Sequence, residues 1–148
     1  HWGDMPKKLG YLDLMHVASW QISFKRESIV NNNVYFDEHM GAGSGNGAEE
    51  EFRFLTDCRK NGLAIYYVPF VIADVAQTKS TWFKGYNEEF FINRGNTTRY
   101  IMGYVPAVLY AAYYSIRKRH QFDSDISWFK AFRLIMKGIH ENRLGKKK

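Results

Sequence analysis

Cysteine is almost missing from this 148-residue chain, and the lone Cys58 excludes an internal disulfide. Stability must come from packing, a reducing compartment fits, and Cys58 itself reads as a small core residue. No cationic, apolar leader opens the chain, since His1–Leu9 is polar and carries Lys7 and Lys8. The opening His-Trp-Gly-Asp, without Met, points to upstream sequence that has been cut away. Internal repeats and low-complexity blocks are also absent. The apolar run Ile101–Ile116 has sixteen uncharged residues. At ~1.5 Å per residue such a helix reaches roughly 24 Å, short of the ~30 Å hydrocarbon core, and Pro106 would kink it. A buried helix, an in-plane membrane helix and a true span are the readings, in that order.

What is present describes a folding chain. Hydrophobic residues make up 45% and aromatics 17%, more than a disordered chain carries, so a packed core is expected. The length suits one domain or a piece of a larger one. The net charge of +6 is uneven: from Arg117 onward ten Lys/Arg face three Asp/Glu, so the basic character belongs to the C-terminal end, where an anionic partner would meet it. A nucleic acid is a poor fit, because no motif there interleaves cations with exposed aromatics.

Along the chain, Val17–Phe24 has β-branched and aromatic residues without helical period and reads as a strand, in which Trp20 is a core residue. A short helical turn through Ile29 follows, ended by Asn31-Asn32-Asn33. Residues 48–61 read as a helix with acids in front, Arg59-Lys60 behind and Gly62 beyond its end, a charge order matching the helix dipole. Leu63–Val75, interrupted at Pro69, reads as two short strands or one edge strand with a bend, apolar on both faces and therefore buried between layers. A short helix over Tyr86–Asn93 precedes a longer one capped by Asn96 or Thr97 and running to about Arg119. A last helix, Asp125–Ile139 capped by Ser124, puts Ile126, Phe129, Phe132, Met136 and Ile139 on one stripe. Arg143–Lys148 reads as a frayed basic tail.

The stretch Tyr35–Gly62 joins a Phe-Asp-Glu turn, a loop with Gly41, Gly43, Gly45 and Gly47, and the triplet Glu49-Glu50-Glu51 at a helix start. Acids in a first turn complement the dipole by ~0.3–1 kcal/mol each, and Glu49 has Arg53 at i+4, so helix support alone accounts for them. Acid/base chemistry is the other reading. Likewise Asp37 is a turn former or a ligand, His39 a surface histidine or a contact to sugar or phosphate, and Trp82 a packing or sugar-stacking ring.

The order SWQISFKRESI, YFDE, glycine loop, acidic pair, DCRKNG and LAIYYVP resembles the second half of family 2 glycosyltransferases of the GT-A fold. AEEEFRFLTDCRKNGLAIYYVP followed by STWF is similar to bacterial members that build surface polysaccharides. The likeness spans roughly residues 15 to 116. It implies an α/β fold, a partial GT-A-like domain with a few strands of a mixed sheet over residues 1–83, then a helix-rich, basic region over 84–148. It also implies an inverting transfer from a nucleotide-sugar donor to a glycan or lipid-linked acceptor. The family's acidic pair falls on Glu50 and Glu51, with Glu51 as the base and Glu50 the second choice; Asp37, Glu38, His39 and Trp82 border the acceptor.

Two departures from the family stand out. The nucleotide-sugar half with its metal-holding Asp-x-Asp has no counterpart here, and Asp123-Ser-Asp125 is better explained by helix capping. Relatives place a histidine near the metal after the strand, where this chain has Asp74, Gln77 and Ser80. The resemblance thus implies a magnesium or manganese ion for the intact enzyme, with ligands outside this chain, and a polypeptide inactive alone. A cytoplasmic location goes with the resemblance; from the residues themselves, Arg117-Lys118-Arg119 behind the apolar run adds an anionic membrane surface, peripheral on its inner face, and a surface meant for the missing half adds self-association as expected partners. A non-catalytic membrane-surface or polysaccharide-binding module is the alternative function.

Overall fold

The computed structural model describes residues 3–41, 44, 49–72, 74, 83 and 85–146. The fold is helix-rich, as expected for its C-terminal region, and among the described residues the one sheet has two antiparallel strands in place of the expected mixed sheet. The chain divides into two compact units, His1–Met40 with Glu49–Thr78 and Gly41–Ala48 with Lys79–Lys148.

The first unit is organised by α2 (Glu50–Lys60), which follows a six-residue helix α1 (Arg26–Asn31). Phe52, Phe54, Leu55 and Cys58 of α2 are buried, with Leu9, Leu14 and Val34 also in the core. Phe36 stacks flat on Phe54, centroids 4.2 Å apart, Phe24 tilts against the same ring at 5.7 Å, and Tyr11 meets Phe52 edge-on at 5.6 Å. The helix ends as its sequence requires. Gly62 takes φ 79°, its N–H donates to the Arg59 carbonyl at 3.0 Å, and Leu63 N–H donates to the Cys58 carbonyl at 3.0 Å, a Schellman closure.

One strand reading fails in this unit and a second is met only in part. Val17–Phe24 holds a 3-10 turn at Ser19–Gln21, because Gln21 Oε1 accepts from Ala18 N at 2.9 Å and closes the segment locally. Trp20 stands 45% exposed rather than in the core. Among the described residues of Leu63–Val75, β2 (Tyr66–Tyr67) pairs with β1 (Lys7–Lys8), while Val68, Phe70, Val71 and Ile72 are exposed rather than buried between layers. Pro69 lacks the N–H that would carry the ladder on.

In the second unit α3 (Glu88–Met102), α4 (Tyr104–Arg117) and α5 (Trp128–Glu141) pack around Phe91, Ala107, Ala111, Tyr114, Phe122, Ile135 and Ile139. α3 and α5 cross where both carry glycine: a Cβ on Gly95 would lie 2.1 Å from the Ile135 carbonyl oxygen, and one on Gly138 would lie 2.0 Å from that of Ile92. Arg94 spans the rings of Phe90 and Tyr114 at 4.9 and 4.5 Å and donates to Tyr110 Oη at 2.6 Å.

Helix boundaries differ from the sequence reading for local reasons. Asn96 and Thr97 cap nothing; both are buried inside α3, which is capped by Asn87 accepting from Phe90 N at 2.9 Å. The break falls at Gly103 (φ 87°), which leaves Pro106 in the first turn of α4, where no intrahelical N–H is needed. α5 starts at Trp128 and is capped by Ser127, three residues later than read, and its buried stripe is Ala131, Ile135, Gly138 and Ile139, leaving Phe129 exposed. The close crossing at Gly138 fixes that rotation. The stretch after Arg143 is docked in part: Arg143 N donates to Asn96 Oδ1 at 2.8 Å and Leu144 is buried.

Candidate functional site

The carboxylate cluster opens α2. Glu49 takes a left-handed conformation (φ 86°, ψ 22°) just before the first turn of α2, and Glu50 and Glu51 occupy that turn. Their backbone N–H groups have no partner within the helix, and the dipole favours negative charge there.

Both side chains are half-buried. The Glu50 carboxyl is pushed above its ordinary value, chiefly by burial and further by the adjacent Glu51 charge, while a backbone N–H donating to it pulls the other way. A carboxylate raised by burial is a stronger proton acceptor than a solvated one. Behind the pair, Arg53 Nε meets Asp57 Oδ2 at 2.7 Å, so the next helix turn is neutralised internally.

The Phe-Asp-Glu turn belongs to the same unit. Asp37 Oδ1 accepts from His39 N at 3.0 Å and faces His39 Nδ1 at 3.1 Å, and Met40 N donates to the Asp37 carbonyl at 3.0 Å. Asp37 therefore builds the turn, its side chain only 14% exposed against 56% for His39. Glu38 points to solvent. The Phe36–Phe54 stack ties this turn to α2, because Phe54 lies one helical turn, about 5.4 Å along the axis, beyond Glu50.

The structure thus links Asp37, Glu38 and His39 to the helix that carries Glu50 and Glu51. Trp82, and Gly43, Gly45 and Gly47 of the loop, lie outside the described residues. The Phe36–Phe54 key was missed in the sequence, although an aromatic directly before an acidic turn and another at i+4 from Glu50 was its visible signal.

Among the described residues no three His, Cys, Asp or Glu side chains gather so as to hold a metal ion. The groove lined by Lys8, Arg59 and Gly62–Ile65 does not include either glutamate. Among the described residues no helix is long and apolar enough to cross a membrane. Comparison with protein families, with curated proteins and with solved structures found no match to this chain.

Proposed function

We propose that this chain is the acceptor-side portion of an inverting glycosyltransferase, with the carboxylates at the start of α2 supplying the general base. The observation that carries the reading is the half-buried Glu50–Glu51 pair, with Glu50 raised in proton affinity, on a helix keyed by Phe36 and Phe54 to the Asp37 turn. An acceptor hydroxyl is too weak an acid to ionise unaided. As its oxygen attacks the anomeric carbon from one face and the bond to the nucleotide diphosphate breaks on the other, a carboxylate oxygen takes the hydroxyl proton.

The resemblance registers Glu51 as that base, while burial and the Glu51 charge raise the proton affinity of Glu50, so the two act as one site to be tested together. Asp37 then serves as the turn former that sets the acceptor rim, and exposed His39 and Glu38 as the groups that meet acceptor hydroxyls. The apolar, exposed Val68–Ile72 also supports the reading, since it has the composition of sheet interior and would be covered by further strands of an α/β domain. The reading carries with it a cytoplasmic nucleotide-sugar donor and a glycan or lipid-linked acceptor.

The test uses the complete enzyme with Glu50→Gln and Glu51→Gln introduced singly. One of them is expected to lower transfer of labelled sugar by about 10²–10⁴-fold, the usual contribution of a general base, with donor affinity by calorimetry unchanged. Undiminished transfer in both variants removes the pair from the mechanism.

A further inference from the structure

α4 buries one face and leaves the opposite one bare. Ala107, Ala111, Tyr114 and Ser115 point into the helical unit, while Val105, Leu109, Tyr113 and Ile116 are 66%, 67%, 52% and 56% exposed. At 100° per residue these four fall together, opposite the buried set. From Val105 to Ile116 the outward face carries no charge over roughly 17 Å of helix. A contiguous exposed stripe of that kind marks a surface with an occupant.

The chemistry at its end identifies the occupant. Arg117, Lys118 and Arg119 follow directly, and from Arg117 onward the chain carries ten Lys/Arg against three Asp/Glu. Of the three cations, Arg119 lies 3.9 Å from Asp123, an exposed pair that water screens. Tyr104 and Trp128, 42% and 44% exposed, stand before the stripe and after the cations in the chain, rings of the type that settle at a lipid–water boundary. No described helix is long enough to span a bilayer, so such a helix lies flat.

We propose that α4 docks on an anionic bilayer surface, with Val105, Leu109, Tyr113 and Ile116 entering the acyl boundary and Arg117 and Lys118 meeting lipid phosphates. The docking goes beyond the transfer reaction and does not depend on it. An acidic protein groove would match the cations but would need several polar groups along the stripe to match its own, and among the four stripe residues only Tyr113 carries one, its hydroxyl.

The experiment is flotation of the full chain with vesicles of phosphatidylcholine plus phosphatidylglycerol, against phosphatidylcholine alone. Binding to the anionic vesicles only, weakened by salt, is expected. Arg117→Gln with Lys118→Gln should weaken it about thirtyfold, from the usual value of each surface cation. Leu109→Asp, at an exposed position that leaves the core intact, should weaken it at least tenfold with helicity by circular dichroism unchanged. Equal binding to neutral vesicles, or no binding to either, overturns the proposal. So does a self-associated chain that Leu109→Asp turns monomeric without any vesicle binding, which would show that a second copy covers the face.

Discussion

Alanine at Gly95 sets two effects of opposite sign against each other. In a helix interior Gly→Ala ordinarily stabilises by about 1 kcal/mol, through helix propensity. At Gly95, however, the new Cβ would sit 2.1 Å from the Ile135 carbonyl oxygen, 2.9 Å from its carbon and 3.0 Å from Ile139 N, all backbone atoms that cannot rotate away. Ordinary contact begins near 3.4 Å, so α3 and α5 must part by roughly 1.3 Å. Forcing atoms into a packed core costs ~1–3 kcal/mol or more, and parting the helices also loosens Phe91, Ile135 and Ile139. The crossing should win, with a net loss of about 2 kcal/mol. With a urea slope of ~2 kcal/mol/M, the unfolding midpoint followed by circular dichroism falls by roughly 1 M. Gly138→Ala meets the Ile92 carbonyl oxygen at 2.0 Å and should behave alike, and the double variant should cost less than the sum, because one opening relieves both contacts. A midpoint that rises in either single variant refutes the close crossing.

Three further outcomes follow. The Glu50 carboxyl, followed by carbon NMR, should titrate above the ordinary glutamate value, and Glu51→Gln should lower it by removing the like charge. Because the native state then holds that proton more tightly than the unfolded chain, stability should fall as pH rises from the ordinary value of about 4.3 through the raised one, and Glu50→Gln should flatten that slope; a Glu50 titrating at or below the ordinary value contradicts its burial. The Cys58 thiol, pushed up to about 11 chiefly by burial, should resist a thiol reagent at pH 8 until the chain unfolds, and prompt native-state labelling counts against a closed α2 core. Asn87→Ala should cost more stability than Ser127→Ala, about 1 kcal/mol against a few tenths, since Asn87 accepts its capping N–H at 2.9 Å and Ser127 at 3.4 Å; equal losses by urea titration would contradict the difference in capping.

Legibility in the sequence followed how local the cause was. α2 could be read because its dipole-matched charges and Gly62 act within the helix itself, and Cys58 was rightly placed in the core. Val17–Phe24 forms no strand and the strand inside Leu63–Val75 is short at Tyr66–Tyr67, because strand propensity needs a partner strand and β1 supplies two residues of one. Asn96 looked like a cap because Asn favours helix ends, but its Nδ2 donates to the Ile92 carbonyl at 3.2 Å while Oδ1 receives Arg143 N, a contact from 47 residues away that no local pattern reveals. In α5 the small residue Gly138, rather than the larger Phe129, decided which face turned inward. For the site, the carboxylate pair was visible as residue types, whereas the raised proton affinity of Glu50 depends on burial that only the folded chain supplies.

The measurement closest to the central claim is the anomeric configuration of the product, read by proton NMR when the complete enzyme transfers sugar from a nucleotide-sugar donor to its acceptor. Inversion is predicted, together with loss of product in the Glu50→Gln or Glu51→Gln variant. Retention of configuration, or wild-type yields from both variants, would contradict a helix-start carboxylate acting as the base.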